Sequence, residues 1–225
     1  MGLRESKGNM YEWITHTWNP IKGQCEHECI YCYMKKFKLK PLRLDQKDLR
    51  TNLGENNFIF LGSSTDMWAR NVPDEWIEAV LERCVEYNTN QYLFQTKNPG
   101  RMLTGDFDLV RRFQYNATIG TTIETDEMEG ISNAPDIYQR ASAIRELGIM
   151  KFNTMITIEP ILKFNLETLL RIMEFAQPDW VNIGADSKGH DLPEPTWPEI
   201  EALVTGLEKF TTIREKHNLG RIQNA

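Results

Sequence analysis

Residues 58–96 read FIFLGSSTDMWARNVPDEWIEAVLERCVEYNTNQYLFQT and contain the clearest strand–helix–strand pattern of the chain. Phe58–Gly62 and Gln91–Thr96 are short apolar runs rich in aromatic residues, which is typical of buried strands. Between them, Pro73 and an acidic first turn predict a helix over Asp74–Tyr87, whose apolar residues recur at helical spacing. A strand, a helix and a second strand in this order predict two parallel strands joined by a right-handed crossover.

The same alternation continues on both sides of this unit. Four further strands are predicted, at Glu12–Trp18, Ala117–Thr122, Phe152–Ile158 and Trp180–Gly184. Five further helices are predicted, at Leu44–Thr51, Pro99–Phe113, Pro135–Leu147, Leu166–Ala176 and Trp197–Lys216. Six strands alternating with helices predict an α/β fold, in which parallel strands form a partial (β/α)6 TIM-like barrel. The 225 residues fall short of the ~250 of a full barrel, so we expect a single partial-barrel domain over residues 1–225.

The charge balance argues against strong binding of polyanions over the whole surface. Lys and Arg number 26 and Asp and Glu 32, which gives a formal net charge of −6. One local exception is a basic stretch, which is either a solvated face or a contact for an anionic substrate or partner, and it consists of Lys35, Lys36, Lys38, Lys40 and Arg43. No apolar run approaches the ~20 residues that span a bilayer, so no membrane partner is predicted.

The four cysteines are not distributed as in a disulfide scaffold. Three of them, Cys25, Cys29 and Cys32, fall within eight residues. Cys84 lies on the apolar face of the predicted Asp74–Tyr87 helix and is expected in the core. Thiols that stay free to bind metal imply a reducing compartment, so we predict a cytoplasmic protein.

The loop over residues 18–33, WNPIKGQCEHECIYCY, follows the first predicted strand and carries the three clustered cysteines. Thiolates are soft ligands that suit zinc or iron–sulfur clusters. Structural zinc sites usually take four ligands in two pairs, and here His27 is expected to point away from its cysteine neighbours. Three thiolates leave one iron of a [4Fe–4S] cluster without a protein ligand, and an open position is a place for chemistry. A zinc knuckle and a simple electron-transfer cluster are the alternatives at this point.

Polar side chains follow the other predicted strands at the points where these strands end. They are Ser63, Ser64, Thr65 and Asp66 after the second strand, Lys97 after the third, Thr122 and Glu124 after the fourth, and Glu159 after the fifth. Because the carboxyl ends of parallel barrel strands share one edge, we expect these residues to form one polar site. The alternative for each is a structural role, such as a helix cap for Asp66 or a Lys97 side chain that reaches out to the barrel rim.

The spacing CxxxCxxC, with an aromatic residue before the third cysteine, resembles the cluster loop of the radical-SAM superfamily. The likeness extends over residues 11–190 through the motifs WNP, CEHECIYCY, GSSTD, TKNP, TIET, TIEPIL and NIGADS. In their order, these motifs resemble an uncharacterised radical-SAM family of phages and bacteria, whose motifs are similar to those of spore photoproduct lyases.

The resemblance implies an enzyme in which Cys25, Cys29 and Cys32 hold a [4Fe–4S] cluster whose open iron binds S-adenosylmethionine (SAM). An external electron donor would reduce the cluster, and SAM would then be cleaved to start radical chemistry. The residues expected to contact the cluster or SAM are Tyr31, Ser63, Ser64, Thr65, Asp66, Lys97, Thr122, Glu124 and Glu159.

Two features of the sequence bear on the substrate class. The lyase-like motifs and the basic stretch favour a nucleic-acid base or nucleotide, and a peptide or small metabolite is the alternative. A second hypothesis from another class is a non-catalytic zinc or iron–sulfur module that recruits a partner or senses redox state. The segment Trp197–Ala225 is expected to be shorter than its counterpart in the resembled family, which leaves open what closes the barrel mouth.

Overall fold

The computed structural model describes residues 2–7, 10–104, 108–127 and 129–224. In this part of the chain the strands are β1 (Arg4–Glu5), β2 (His16–Trp18), β3 (Ile21–Lys22), β4 (Arg43–Leu44), β5 (Phe58–Leu61), β6 (Gln91–Gln95), β7 (Ala117–Thr122), β8 (Asn153–Ile158), β9 (Trp180–Ile183) and β10 (Thr212–Glu215). The α-helices are α1 (Gln46–Leu49), α2 (Asp74–Glu86), α3 (Arg101–Thr104), α4 (Asp108–Arg111), α5 (Ile137–Ile149), α6 (Leu166–Ala176), α7 (Trp197–Leu207) and α8 (Gly220–Gln223). Two 3₁₀-helices span Tyr33–Lys36 and His217–Leu219.

Eight strands form the main sheet, in the order β1-β2-β5-β6-β7-β8-β9-β10. Each neighbouring pair from β2 to β10 is parallel, and β1 joins the edge in antiparallel orientation. Helices lie between successive parallel strands, as right-handed crossover units require. The predicted α/β partial barrel is therefore confirmed. No helix among the described residues is long and apolar enough to cross a membrane.

The longer helices begin and bury their apolar faces as the sequence predicts. Helix α2 starts after Pro73 with acidic residues in its first turn, and its buried residues include Cys84, which is confirmed as a core residue. Helix α6 starts directly after its N-cap residue Asn165, whose side chain accepts a hydrogen bond from the Thr168 backbone N–H at 3.0 Å.

The first predicted strand is shorter than expected. Strand β2 begins at His16, whereas the sequence predicted a strand from Glu12. The backbone N–H of Ile14 bonds to the carbonyl of Tyr11 at 3.1 Å, so the chain turns here before it enters the sheet. The sequence predicted a longer strand because Trp13, Ile14 and Thr15 are apolar or β-branched residues of the kind that buried strands contain.

Two predicted helices are wrong in part. Within the predicted Pro99–Phe113 helix, the described residues are helical only in α3 and α4, and the prediction for residues 105–107 lies outside the described residues. Helix α7 ends at Leu207 instead of Lys216, and the β-branched residues that follow form β10, which pairs with β9. Trp197–Ala225 thus supplies a seventh parallel strand to the sheet.

The two-stranded sheet of β3 and β4 fixes the base of the cysteine loop. Ile21 pairs with Leu44 and Lys22 with Arg43, so the chain leaves and returns at one place. The ammonium group of Lys22 lies 2.8 Å from Asp45 Oδ2 and 2.5 Å from Asp48 Oδ2, and these two salt bridges further hold the ends of the loop together. The three cysteines and most of the basic stretch therefore lie in one long loop, whose two ends are held together by β3 and β4.

The two faces of the main sheet pack differently. One face meets the helices in a large core that contains Ile59, Leu61 and Phe94. The neighbouring residues of the same strands, Phe60 and Leu93, point to the opposite face and pack in a small cluster with Tyr11, Ile14 and Met155. The N-terminal segment thus fills part of the inner side of the curved sheet and leaves the carboxyl ends of the strands open.

Candidate functional site

The cysteine loop lies across the carboxyl ends of the parallel strands, where a barrel places its working residues. Cys25, Cys29 and Cys32 are partly buried, and the Cys32 N–H donates to the carbonyl of Cys29 at 3.1 Å. Backbone bonds from Ile30 to Ile131 (3.0 Å) and from Asn133 to His27 (2.7 Å) hold the loop against the segment after β7.

The three thiols are close enough to influence one another electrostatically. Burial raises the pKa of Cys25 to about 12, with the charges of Asp66 and Cys29 adding to the rise. Burial also raises the pKa of Cys29 against the opposing charge of Lys97, and Cys32 contributes to the rise. A metal that binds here must displace protons from these thiols.

The donor chemistry of this loop fits a thiophilic iron or zinc centre. Among the described residues, no three His, Cys, Asp or Glu side chains converge closely enough to hold a metal ion by themselves. Three thiols on one anchored loop nevertheless provide the ligand type and the number that an open-sided cluster requires. The residues present therefore fit such a group in chemistry.

Asp66 connects the cysteine loop to the sheet. Its Oδ2 lies 2.9 Å from His27 Nε2 and accepts hydrogen bonds from Thr96 Oγ1 (2.9 Å) and the Lys97 N–H (2.8 Å). Its Oδ1 accepts from the Trp68 N–H at 2.9 Å. Burial alone would raise the pKa of Asp66, but the hydrogen bonds from His27 and Lys97 hold that pKa below its ordinary value. The side chain predicted to contact SAM is thus already engaged by four donors.

The hydroxyl residues after β5 also hold the cysteine loop. Asn19 Oδ1 accepts hydrogen bonds from Ser63 Oγ (3.3 Å) and the Ser64 N–H (3.0 Å), and Thr65 Oγ1 donates to the carbonyl of Gly23 at 3.0 Å. Gly62 starts this turn with φ +70°, and a Cβ there would lie 2.9 Å from the Thr65 carbonyl oxygen. The turn therefore needs glycine before its polar residues.

Glu124 is the centre of a buried charge cluster. It is 2 % exposed and forms ion pairs with Lys97 and with Arg140, the latter at 3.3 Å between Oε2 and Nη1. The Tyr31 hydroxyl donates to the same carboxylate. Burial would raise the pKa of Glu124, but the charges of Lys97 and Arg140 hold it below its ordinary value. The carboxylate therefore stays ionised, and it holds Lys97 at the end of β6 next to Tyr31 of the cysteine loop.

Sequence reasoning missed Arg140. It is fully buried in α5, and its guanidinium donates to the carbonyls of Pro135 and Thr122 at 2.7 Å each. The available signal was a lone cation among the apolar residues on the inner face of that helix, because a buried arginine requires an anionic partner. The partner is Glu124.

A cavity of about 470 Å³ opens beside these residues at the carboxyl ends of the strands. Five of the predicted site residues line it, and these are Tyr31, Ser63, Lys97, Thr122 and Glu159. Ser64 and Thr65 face a neighbouring groove, and Asp66 and Glu124 lie behind the cavity wall. The structure thus brings five of the nine predicted residues to one polar cavity.

The floor of this cavity contains a polar network that the sequence did not predict. The Tyr11 hydroxyl donates to Gln95 Oε1 at 2.8 Å and contacts Thr157 Oγ1 at 3.1 Å. Burial and the charge of Glu159 raise the pKa of Tyr11, so its proton stays on the ring oxygen. No pattern in the sequence distinguishes Tyr11 from the apolar residues around it.

Charged side chains form one wall of the same cavity. Lys216 pairs with Glu159 at 2.6 Å, and Asn218 donates to the other carboxylate oxygen at 3.2 Å. His190 Nδ1 lies 2.7 Å from Asp186 Oδ1, in the loop after β9. Lys216 was missed because it follows β10, which the sequence analysis assigned to a helix.

Comparison with known families identifies the chain. Residues 9–200 match the family described as "Protein of unknown function (DUF5131)". The chain belongs to the DUF5131 family. No curated protein matches the sequence.

This DUF5131 chain shares its fold with solved structures of two other proteins. A spore photoproduct lyase mutant is similar with a TM-score of 0.66 and 12 % identity, over 96 % of this chain and 80 % of the lyase. A double mutant of spore photoproduct lyase with bound AdoMet and dinucleoside spore photoproduct gives 0.57 and 13 % identity, over 92 % of this chain and 64 % of the lyase. SuiB from Streptococcus suis, bound to S-adenosylmethionine, gives 0.61 and 9 % identity, over 87 % of this chain and 48 % of SuiB.

These similarities show the fold alone, because the identities are low. They agree with the α/β partial-barrel fold that the alternation of strands and helices in this DUF5131 chain predicts. The chain spans less than two thirds of the lyase structure with bound AdoMet and less than half of SuiB. Activity, substrate and partners of the DUF5131 chain are therefore matters for a proposal.

Proposed function

We propose that this chain is a radical-SAM enzyme, which uses a [4Fe–4S] cluster and SAM to start radical chemistry on its substrate. The observation that carries the proposal is the position of the cysteine loop. This loop carries the three thiols at the carboxyl ends of the parallel strands, and its Tyr31 lines a polar cavity together with Lys97. A metal centre with an open coordination position next to a ligand cavity is the arrangement that this chemistry needs.

In this proposal Cys25, Cys29 and Cys32 hold the cluster. When bound, the cluster supplies the electron that cleaves SAM, and an external donor reduces it. The protein orients SAM and excludes water from it. Lys97 is placed to attract the SAM carboxylate, because its ammonium group lies at the cavity wall and is fixed by Glu124.

The remaining predicted residues divide into two groups. We propose that Ser63, Thr122 and Glu159, which line the cavity, contact SAM or the substrate directly. Asp66 and Glu124 lie behind the wall, so we propose that they position the cysteine loop and Lys97. Direct contacts of Ser64 and Thr65 with SAM stay predictions.

For the substrate we propose a nucleic-acid base or a nucleotide. The cavity offers polar and aromatic side chains together, as in Tyr11, Gln95 and Tyr33, which suits a flat heteroaromatic ring with hydrogen-bonding edges. A solved lyase of the same fold holds a dinucleoside spore photoproduct, which supports the proposal by fold analogy. The reducing cytoplasm is the compartment that would preserve the free thiols.

The experiment is anaerobic purification, followed by incubation with SAM and a strong reductant. We expect about four irons and four sulfides per chain and release of a SAM cleavage product, such as 5′-deoxyadenosine. Cys29→Ala should remove cluster and cleavage together. Cys84→Ala is the matched control, because Cys84 is a buried thiol on α2 that faces the core, so both properties should persist.

Two other outcomes point to other functions. Zinc as the only bound metal would indicate a non-catalytic module, because zinc supplies no electron. A cluster without SAM cleavage in any condition would indicate a redox sensor. Either result overturns the proposal.

A further inference from the structure

A second and larger cavity adjoins the proposed active site. It is a groove of about 740 Å³ between the N-terminal strand β1 and the segment that follows the cysteine loop. Met10, Tyr33 and Ser63 line both this groove and the active-site cavity, so the two are continuous. A long ligand in the groove can therefore extend into the cavity.

The groove is basic in a chain that is acidic overall. Two carboxylates, Glu5 and Asp48, line it together with six cations, which are Arg4, Lys7, Lys22, Lys38, Lys40 and Arg43. The whole chain carries a formal charge of −6, so this excess of cations is a local feature. Clefts lined by one sign of charge concentrate ligands of the opposite sign.

Most of these cations are available to a ligand. Within the described residues, Lys7, Lys38, Lys40 and Arg43 form no ion pair, and all four are exposed. Lys22 differs, because it is held by Asp45 and Asp48 below the groove. Cations left unpaired along both sides of a groove suit a series of phosphates better than one compact anion.

An exposed aromatic ring lies between the basic side chains. Phe37 lines the groove and is 53 % exposed, which is unusual for a phenylalanine. The ammonium group of Lys36 lies 5.1 Å from the centre of this ring, and Lys36 itself lines the active-site cavity. Aromatic rings within a basic groove are the platforms on which bases of single strands stack.

We propose that this groove binds a single-stranded segment of nucleic acid, whose phosphates contact the lysines and whose bases stack on Phe37. The proposal rests on the proposed function, because it makes a strand, and not a free nucleotide, the substrate of the adjoining cavity. In this proposal the basic stretch Lys35–Arg43 contacts the phosphates of the strand, and Lys7 contacts them from the opposite side of the groove.

The test measures fluorescence anisotropy of the holoenzyme with a labelled 20-nucleotide single-stranded DNA and with an RNA of the same sequence. We expect one or both to bind, and the triple variant K38Q/K40Q/R43Q to bind at least ten-fold more weakly. For a single strand each lost phosphate contact lowers the slope of log affinity against log salt by about 0.7. The variant should therefore lose about 2 from that slope.

The matched control removes the same number of exposed cations elsewhere, in R112Q/K151Q/K209Q, and should bind as the unmodified chain does. Phe37→Ala should weaken binding of the oligonucleotide about five-fold or more but leave binding of inorganic polyphosphate unchanged. Tyr115→Ala, which removes a ring that is 81 % exposed and outside the groove, should change neither.

Failure of both oligonucleotides to bind at low salt would overturn the proposal, as would equal binding by the triple variant and its control. An equal effect of Phe37→Ala on oligonucleotide and polyphosphate would overturn the stacking role. Release of 5′-deoxyadenosine without substrate should be the same in K38Q/K40Q/R43Q and the unmodified chain. This readout separates the two proposals, because loss of SAM cleavage in the unmodified chain refutes the enzyme and leaves the binding result interpretable.

Discussion

Glu124 is the residue whose surroundings are most constrained. Its buried carboxylate meets two buried cations, Lys97 and Arg140, and a tyrosine hydroxyl. A buried ion pair contributes little net stability, but loss of one partner leaves an uncompensated charge. The main effect of this cluster is therefore to fix the position of Lys97 at the cavity wall, and its net contribution to stability is small.

Glu124→Gln should lower the free energy of unfolding by about 3–5 kcal/mol at neutral pH, because Lys97 and Arg140 would remain buried without their anion. Urea denaturation measures the change. The matched control is Glu167→Gln, which breaks an exposed pair with Arg171 on α6 and should cost less than about 0.5 kcal/mol. Equal stability of the two variants would show that Glu124 carries no such charge cluster.

The same carboxylate predicts a pH dependence. Its pKa in the folded protein lies below the ordinary value of 4.5, so the folded state binds its proton less readily than the unfolded state. The stabilisation from Glu124 is therefore complete above about pH 4.5 and declines as the pH falls toward the folded pKa of about 2. The difference in unfolding free energy between the unmodified chain and Glu124→Gln should shrink over this interval. A constant difference would contradict the depressed pKa.

Among individual residues, those predicted from the sequence include the ionisable residues that closely follow a strand. Lys97, Glu124 and Glu159 were predicted because ionisable groups that close apolar runs are conspicuous. Tyr11 and Arg140 were not, because their partners are distant in sequence and only the fold brings them together. The sequence also does not reveal that the carboxylate of Asp66 accepts its hydrogen bonds from other residues of the protein.

Among the elements, the cysteine loop depends on its attachment to the sheet. Asp66 joins His27 of this loop to Thr96 and Lys97 at the end of β6. Each buried donor that loses its acceptor costs about 1–3 kcal/mol. The loop should therefore be the first part of the fold to loosen when the carboxylate is removed.

Asp66→Ala should lower the iron content of the anaerobically purified chain to less than half of the unmodified value. The far-UV circular dichroism should be unchanged, because the sheet does not depend on the loop. Asp136→Ala is the matched control, since Asp136 caps α5 at 2.8 Å from the Tyr138 N–H and does not contact the cysteine loop. Full iron content in Asp66→Ala would exclude Asp66 as a positioning residue for this loop.

Elements were predictable where local patterns are strong. The strands and helices of residues 58–96 were predicted almost to the residue, because the apolar periods there are regular. Strand β10 was missed because Thr212–Glu215 is mostly exposed at the sheet edge and has no apolar run. The short pairing of β3 with β4 has no sequence signature, since two residues on each side suffice to form it.

In the whole molecule, the position of the candidate site follows from the curved sheet, which is left uncovered at one end. The N-terminal segment packs against the inner face through Tyr11 and Ile14, and the helices cover the outer face. The edge where the strands end is accessible, and it carries the cysteine loop, the polar cavity and the basic groove side by side. The fold class was predictable because alternation of strands and helices is a property of the entire sequence.

The open iron is tested by the electron paramagnetic resonance spectrum of the reduced, anaerobic protein, recorded with and without SAM. If Cys25, Cys29 and Cys32 hold a [4Fe–4S] cluster with one open iron, SAM must bind at that iron and change the spectrum. The spectrum of Cys84→Ala should respond in the same way, and Cys29→Ala should show no cluster signal. A cluster signal that SAM leaves unchanged, or a protein that contains only zinc, would contradict the claim.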